Sequence, residues 1–323
     1  MIAPAFIAFF GASAHSLLHT LVLASVVLIS LMLFLLPDKK RVLTFVISAV
    51  IFAACWLRNL VAQLVGRKPP GRCVVLYYHA VALRHKVGFE RQMDDLLRFA
   101  KPTTAARRSP LGSGERYAVV TFDDAYQNIL LNALPALKTR GIPAAVFVVP
   151  DMLGRTPSLS DTSTGSSGER KVMSVEDLQS LASDLVTIGS HSLTHPYLTK
   201  LSPKEAVHEL TESRRILEKV LQRPVRLFCF PYGACSEELF RLCREVGYDR
   251  VFTTVPQFAF SDPAEFVTGR VRVDPTDWRL EFRLKLLGAY RWLPVAWTIK
   301  KRILGRPVET LTVQPIAPSD RSL

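Results

Sequence analysis

Residues 117–124, Tyr-Ala-Val-Val-Thr-Phe-Asp-Asp, are the clearest indication of the architecture. The first six form a short apolar run with β-branched and aromatic side chains, which is typical of a buried strand. Two adjacent carboxylates, Asp123 and Asp124, follow at the predicted end of the strand. Adjacent acids repel each other unless a cation or separate roles relieve them. The pair therefore predicts either a functional site or the N-cap of the next helix.

Similar short apolar runs occur on both sides of this stretch, and helical patterns separate them. We predict strands at residues 74–78, 144–149, 186–188, 226–230 and 248–253. Ser202-Pro203-Lys204-Glu205 combines an N-cap, a proline at the first helical position and a capping-box glutamate, so a helix begins there. Strands that alternate with helices indicate an α/β fold with a mainly parallel sheet or barrel.

Composition limits the classes of protein to which the chain can belong. Of its 323 residues 49% are hydrophobic, and the apolar excess lies in residues 1–57. The net charge of +13 suits an anionic membrane surface or an anionic glycan; no nucleic-acid-binding motif accompanies it, so we predict no nucleic-acid partner. Five cysteines without a Cys-x-x-Cys pair favour free buried thiols, although Cys235 and Cys243 could pair in an oxidising compartment.

The N-terminal region is predicted to anchor the chain in a membrane. Residues 17–36 contain no formal charge and are long enough to span the hydrocarbon core, and residues 42–57 form a second, shorter run. The apolar N-terminal region is longer than a cleaved signal peptide. We predict an anchor of one or two transmembrane helices at residues 1–66, a linker at 67–72, a catalytic domain at 73–304 and a disordered tail at 305–323.

Charge does not decide which side of the membrane the domain occupies. Basic residues 39–41 between the two apolar runs argue for an outward-facing domain, whereas Arg58, Arg67, Lys68 and Arg72 argue the other way. A glycan substrate favours the outer, periplasmic or extracellular side of the cytoplasmic membrane.

Two further predicted strands also end in polar residues. His191 and His195 are four residues apart, a spacing that places both on one face of a helical turn, where they could hold a divalent cation with a carboxylate. The alternative is two ordinary loop histidines.

The third segment runs from Arg226 to Gly233; its Pro-Tyr-Gly turn can present a backbone N–H to an oxyanion, and its arginine can orient a carboxylate. The alternative here is a routine turn.

Taken together and in this order, TFDD, SHSLTH and RLFCFPYG resemble the first three motifs of the NodB-type polysaccharide deacetylases, carbohydrate esterase family 4. The resemblance covers roughly residues 73–287. Residues 76–81, Leu-Tyr-Tyr-His-Ala-Val, and residues 188–191, Ile-Gly-Ser-His, look most like the poly-N-acetylglucosamine deacetylase branch. The resemblance implies a distorted (β/α) barrel with fewer strands than the eightfold version.

The resemblance also implies a role for each site residue. Asp124, His191 and His195 correspond to the metal ligands, and Asp123 corresponds to the general base. The backbone N–H of Tyr232 would stabilise the oxyanion, and Arg226 would hold Asp123 in place. The implied reaction removes N-acetyl groups from amino sugars. We expect Zn²⁺, although the same ligands suit Co²⁺, Ni²⁺, Fe²⁺ or Mn²⁺.

The sequence departs from the family in its last motif. The Leu-x-His motif that supplies the general acid is missing, because no histidine follows His208. On position, His79 at the end of the first predicted strand is the best substitute, and a structural histidine is the alternative. Asp277 fits the family's DxxDW pattern or caps the following helix. Two other functions remain open: deacylation of a lipid-linked sugar, and non-catalytic glycan binding on the same fold.

Overall fold

The structure, a computed structural model, describes residues 38–303 except residues 65, 67, 157–170 and 182. Its first helix is α1, Lys39–Leu64. Within α1, Lys39–Val61 is long and apolar enough to cross a membrane, and it is the one such helix in the described part of the chain. Lys39, Lys40 and Arg41 form the first turn of α1 and not a separate loop. The predicted span at 17–36 and the predicted tail at 305–323 lie outside the described residues.

A parallel sheet forms the centre of the rest of the chain. In the described ranges it has nine strands: β1 Arg72–Tyr78, β2 Lys101–Pro102, β3 Arg116–Phe122, β4 Ala144–Val148, β5 Val186–Ser190, β6 Leu227–Cys229, β7 Arg250–Phe252, β8 Val267–Thr268 and β9 Val271–Arg272. The order is β8-β7-β6-β5-β4-β3-β1-β9, with β2 beside β3, and every pairing is parallel. The sheet curls into a half-barrel, so the predicted distorted (β/α) barrel is confirmed.

Helices connect most of these strands. They are α2 Lys86–Phe99, α3 Leu134–Arg140, α4 Val175–Leu181, α5 Pro203–Leu221, α6 Glu237–Val246, α7 Arg279–Leu286 and α8 Leu293–Ile303. The predicted capping box of α5 is present: the Ser202 hydroxyl accepts the Glu205 N–H, and the Glu205 carboxylate accepts the Ser202 N–H.

The core lies where apolar residues of the sheet meet the helices. β4 is buried along its whole length, as expected for a parallel strand covered on both faces. On the β1 and β3 side, Tyr78, Phe89 and Phe122 form an aromatic cluster with ring centroids 5.2–6.0 Å apart. None of the five cysteines forms a disulfide, so the prediction of thiols in place of a disulfide framework is confirmed. This core holds the carboxyl ends of the central strands at one edge.

The interpretation of Asp277 as a helix cap is wrong. Helix α7 begins at Arg279, and its N-cap, Trp278, makes no side-chain capping bond. The buried Asp277 carboxylate instead accepts hydrogen bonds from Lys285 Nζ at 2.7 Å and from the Asp274 N–H at 3.1 Å. A buried carboxylate binds a nearby ammonium group in preference to remaining unpaired.

Candidate metal centre

The carboxyl ends of β3, β5 and β6 form the candidate site. Asp123 and Asp124 follow β3, His191 follows β5, and Tyr232 lies in the turn after β6. Among the described residues, seven non-glycine residues have a positive φ, and five of them occur here: Asp124, Ala125, Ser192, His195 and Tyr232. A side chain makes this backbone conformation costly, and such strain concentrates at functional sites.

Asp124, His191 and His195 converge on one point. The Asp124 Oδ1 atom lies 3.8 Å from His191 Nε2 and 3.7 Å from His195 Nε2. The histidine rings are 4.8 Å apart, centroid to centroid. His191 is buried, whereas the Asp124 and His195 side chains are 20% and 18% exposed. The cluster is therefore buried at His191 and accessible to solvent at Asp124 and His195.

The hydrogen bonding of His191 prepares its other ring nitrogen for a ligand. His191 Nδ1 lies 2.7 Å from the carbonyl oxygen of Cys229, which can only accept a hydrogen bond. The proton therefore sits on Nδ1, and the Nε2 lone pair faces Asp124. Burial disfavours the imidazolium form and lowers the pKa of both His191 and His195 to about 4. Both rings are neutral at neutral pH, as metal ligation requires.

The segment between the two histidines is a loop, so the prediction that they share one face of a helical turn is wrong. Ser192 and His195 have left-handed φ, and the Ser192 hydroxyl accepts the His195 N–H at 3.0 Å. Glu209 on α5 accepts the Leu193 and Thr194 N–H groups at 2.8 and 2.9 Å and the Thr194 hydroxyl at 2.6 Å. The buried Glu209 carboxylate therefore fixes the loop that carries His195.

Arg270 binds Asp123 through two parallel hydrogen bonds. Nη1 donates to Oδ1 at 2.7 Å and Nη2 donates to Oδ2 at 2.9 Å, and both side chains are buried. Arg270 also donates to the Thr121 hydroxyl and the Thr253 carbonyl. Burial alone would raise the pKa of Asp123, but the guanidinium outweighs it and lowers that pKa to about 2. Asp123 is thus an ionised carboxylate with a fixed orientation.

The prediction that Arg226 holds Asp123 is wrong. The Arg226 side chain is 54% exposed, and its Nη1 lies 3.9 Å from Asp249 Oδ1 at the surface. Arg226 immediately precedes β6, which starts at Leu227, so it lies at the opposite end of the strand from the site. Arg270, in the short connection between β8 and β9, occupies the position instead. The signal in the sequence was a basic residue within the apolar stretch 267–273, Val-Thr-Gly-Arg-Val-Arg-Val.

The remaining predicted residues also reach this edge of the sheet. The Tyr232 ring contacts His195 at a centroid distance of 4.6 Å and stacks on Tyr197 at 4.1 Å. His79 follows β1 and is close enough for its charge to lower the pKa of both Asp123 and His195. The structure therefore brings His79, Asp123, Asp124, His191, His195 and Tyr232 together and leaves Arg226 outside.

The donor set fits one divalent cation. Three ligand atoms about 2.1 Å from a zinc ion at tetrahedral angles lie about 3.4 Å apart, so the observed 3.7 and 3.8 Å require shifts of a few tenths of an ångström. Asp123, His191 and Cys229 also offer three grouped ligand atoms. Arg270 already pairs with Asp123 and Cys229 there, and His191 uses Nδ1 for the Cys229 carbonyl, so that second set does not suit a cation.

The fold and this edge of the sheet define a (β/α)-barrel protein with a candidate mononuclear metal centre. Residues 112–251 match the family model described as polysaccharide deacetylase, and they include Asp123, Asp124, His191, His195 and Tyr232 but not His79 or Arg270. Within this matched segment, which is less than half of the chain, the protein carries a polysaccharide deacetylase domain of the NodB type, a class of hydrolase.

Several known proteins are similar to this chain in sequence or in fold. The putative polysaccharide deacetylase YxkH of Bacillus subtilis is 24% identical over 222 residues, which cover 65% of this chain and 75% of that protein. The solved structure of IcaB from Ammonifex degensii is 25% identical, with a TM-score of 0.56, covering 68% of this chain and 98% of that one. A putative polysaccharide deacetylase from Bacillus anthracis has the same fold, with a TM-score of 0.54 at 23% identity, covering 67% of this chain and 69% of that one.

Proposed function

We propose that the chain is a membrane-anchored, metal-dependent hydrolase that removes N-acetyl groups from amino sugars of a polysaccharide. The observation that carries this proposal is the convergence of Asp124, His191 and His195 beside Asp123, whose carboxylate Arg270 holds in a fixed orientation. The similarity to YxkH of Bacillus subtilis, which is named a putative polysaccharide deacetylase, supports the same activity.

Asp124, His191 and His195 would hold the cation. A bound divalent cation supplies Lewis acidity for a carbonyl oxygen and lowers the pKa of a coordinated water. Two neutral imidazoles and one carboxylate are common ligands of Zn²⁺, our first choice, but Co²⁺, Ni²⁺, Fe²⁺ or Mn²⁺ accept the same set.

Asp123 is the proposed general base. Its carboxylate is ionised and can accept the proton of the attacking water, while Arg270 keeps it from rotating away. A low pKa makes a carboxylate a weak base, so its contribution comes from position more than from basicity. We assign the backbone N–H of Tyr232 to the oxyanion that forms as the amide carbonyl is attacked, because the ring contact places this residue beside His195.

The reaction ends when the amide C–N bond breaks and the amino sugar leaves. The acetyl group becomes acetate, and the departing nitrogen requires a proton. We assign this proton to His79, because it follows β1 at the same edge of the sheet and its charge acts on Asp123 and His195. A histidine is suited to proton transfer near neutral pH.

Acetate release from N-acetylglucosamine oligomers tests this function. The full chain in detergent would be freed of metal with a chelator and then supplied with Zn²⁺. We expect release with Zn²⁺ and a loss of at least about a hundredfold in Asp123→Asn and His191→Ala. His208→Ala is the matched control, because this histidine is exposed on α5 and is not one of the proposed site residues. Equal rates in all four proteins would contradict the proposal.

Membrane anchoring and the side of the membrane are separate parts of the proposal. The helix segment Lys39–Val61 supports an anchor. A glycan substrate favours a catalytic domain on the outer side, whereas a lipid-linked sugar would suit the inner side. A reporter domain that is active only outside the cytoplasm would be fused to the C-terminus. We expect this reporter to be active. An inactive but expressed reporter would place the domain inside and favour the lipid-linked substrate.

A further inference from the structure

Two segments distant in sequence are unusually basic. Residues 55–72 and 289–303 contain no aspartate or glutamate and eight basic residues, although the whole chain has 41 basic and 28 acidic residues. The eight are Arg58, Arg67, Lys68, Arg72, Arg291, Lys300, Lys301 and Arg302. A surface with an excess of one sign of charge attracts partners of the opposite sign.

Phe258 brings the two segments together. The Arg291 and Arg72 guanidinium carbons lie 3.7 and 5.2 Å from the centroid of its ring. Arg72 Nη2 donates to Asn59 Oδ1 at 3.5 Å. Asn59 lies in the last turns of α1, next to Arg58 in sequence. A Cβ atom at Gly288 would lie 2.5 Å from Phe258, so the absence of a side chain there permits the close approach of the Arg291 segment.

Other arginines lie close enough to act on the charges of Arg72 and Arg291. Burial lowers the pKa of Arg72, and the charges of Arg58 and Arg116 lower it further. Burial likewise lowers the pKa of Arg291, and Arg72 and Arg58 add to the effect. Within the described ranges no salt bridge joins a carboxylate to any of these four arginines. Their positive charge is therefore available to an external anion.

Helix α8 adds an exposed apolar stripe directly after Arg291. Val295, Ile299 and Ile303 are spaced four residues apart, so they share one helix face, and they are 61%, 52% and 78% exposed. Lys300, Lys301 and Arg302 lie between Ile299 and Ile303 in its last turn, and Trp292 and Trp297 lie in the same segment. A helix with basic and apolar residues and no acids is typical of segments that lie in a membrane interface.

The end of α1 fixes which membrane surface is in reach. A helix that crosses the bilayer brings its final turn to the headgroup layer, and Arg58 lies in the last turn of Lys39–Val61. Arg72 contacts Asn59 in that turn, and Phe258 joins Arg72 to Arg291. The basic cluster would thus lie at the level of the headgroups. This step depends on the proposed membrane anchor.

We propose that Arg58, Arg72 and Arg291 around Phe258 bind anionic lipid headgroups, and that Val295, Ile299 and Ile303 enter the boundary between headgroups and acyl chains. A lipid surface fits better than a protein partner because exposed aliphatic side chains and uncompensated cations occur together at the end of a candidate span. This second attachment would limit the orientations of the catalytic domain above the membrane.

Hydrogen–deuterium exchange of the full chain in nanodiscs tests the proposal. One disc would contain phosphatidylcholine alone and the other a minority of phosphatidylglycerol. We expect the amides of residues 289–303 to exchange several-fold more slowly in the anionic disc, and the difference to shrink in high salt. Arg72→Gln with Arg291→Gln should abolish the lipid-dependent difference, and Ile299→Ser with Ile303→Ser should reduce protection in both discs.

Matched controls separate this effect from misfolding and from failure of the anchor. Arg215→Gln with Arg241→Gln removes two exposed arginines from surface ion pairs and should leave the difference unchanged. Retention of the full chain in membranes washed with carbonate tests the anchor independently. Release of the wild-type protein by this wash would contradict the proposed anchor and not the lipid contact. Equal exchange rates of residues 289–303 in the two discs would overturn the lipid proposal. Protection of these residues in detergent that rises with protein concentration would also overturn it, because it would indicate contact with a second protein molecule.

Discussion

Arg270 is the residue on which the orientation of Asp123 depends. Its guanidinium makes two hydrogen bonds to Asp123 and lies over the Tyr77 ring at 4.5 Å, entirely buried. Removing one partner of a buried ion pair leaves an uncompensated charge, which costs about 3–5 kcal/mol. The pair therefore links the stability of the site to its chemistry.

We predict that Arg270→Gln lowers the rate of acetate release by about two to three orders of magnitude. The substitution removes the charge and one of the two hydrogen bonds that orient Asp123. Thermal unfolding should also shift to lower temperature, because the carboxylate is left buried. Steady-state assays on N-acetylglucosamine oligomers, combined with calorimetry, measure both effects.

Arg226→Gln is the control for this prediction. Arg226 makes only an exposed surface pair with Asp249, which contributes little to stability, so activity and unfolding temperature should stay close to those of the wild type. A large loss of activity in Arg226→Gln together with an active Arg270→Gln protein would reverse the assignment of the two arginines.

These two arginines also show how far the sequence predicts the site. Asp123, Asp124, His191 and His195 were predictable because each lies within five residues of the end of its strand, so local spacing locates it. Arg270 is 147 residues from Asp123, and only the sheet order brings them together. Arg226 was the wrong choice because its motif is local, whereas its position before β6 directs it to the opposite end of the strand.

At the scale of elements, the loop between His191 and His195 depends on α5. Glu209 receives three hydrogen bonds from this loop, and Ser190 and Ser213 join β5 to α5 through hydroxyl groups 2.8 Å apart. Sequence spacing predicted the helix and its capping box but not this contact, because an acid on a helix gives no local sign of what it faces. The loop conformation is consequently a tertiary property.

We predict that Glu209→Gln weakens zinc binding by about ten- to a hundredfold, the usual effect of losing a group that supports a ligand. The amide retains some hydrogen bonds but cannot accept all three. Calorimetric titration of the metal-free protein with Zn²⁺ measures the change. Glu212→Gln is the matched control on the same helix, because Glu212 pairs with Arg215 at the surface; equal affinities of the two variants would contradict the assigned role of Glu209.

A second element-level prediction concerns the contact between α2 and α7. The buried Asp95 accepts hydrogen bonds from Arg279 and Arg283. Burial alone would raise the pKa of Asp95, but the two arginines outweigh it and lower that pKa. A lowered folded-state pKa means that the carboxylate stabilises the fold above its unfolded pKa of about 3.9, and that this stabilisation is lost as the pH falls through the folded value.

Asp95→Asn should therefore destabilise the protein by about 1–2 kcal/mol at neutral pH, and the difference from wild type should shrink at pH values below about 4. Chemical denaturation at several pH values measures this. Asp94→Asn is the control, since Asp94 is 61% exposed and pairs with Arg140. A difference between Asp95→Asn and wild type that grows as the pH falls would contradict the assignment.

At the scale of the whole molecule, the parallel sheet explains why the site exists. Parallel strands direct their carboxyl ends to one edge, so residues after β1, β3, β5 and β6 meet there although they are far apart in sequence. The alternation of strands and helices was sufficient to predict this arrangement. The curl of the sheet and the β8–β9 connection depend on tertiary packing and could not be read from local patterns.

If these strand ends hold a metal, the metal must stabilise the whole fold. We predict that Zn²⁺ at about a hundred times its dissociation constant stabilises the wild type by about 2.7 kcal/mol, because only the folded state assembles the three ligands. The unfolding temperature of His191→Ala should not respond to Zn²⁺, whereas that of His208→Ala should respond like the wild type. Differential scanning calorimetry with and without Zn²⁺ distinguishes these outcomes.

Anomalous diffraction at the zinc absorption edge, from crystals grown with Zn²⁺, tests the central claim most directly. The predicted result is one strong peak within about 2.0–2.2 Å of an Asp124 oxygen, His191 Nε2 and His195 Nε2, with Asp123 still bound by Arg270. A peak at the Asp123, His191 and Cys229 set, or no peak between Asp124 and the two imidazoles in zinc-containing crystals, would contradict the account.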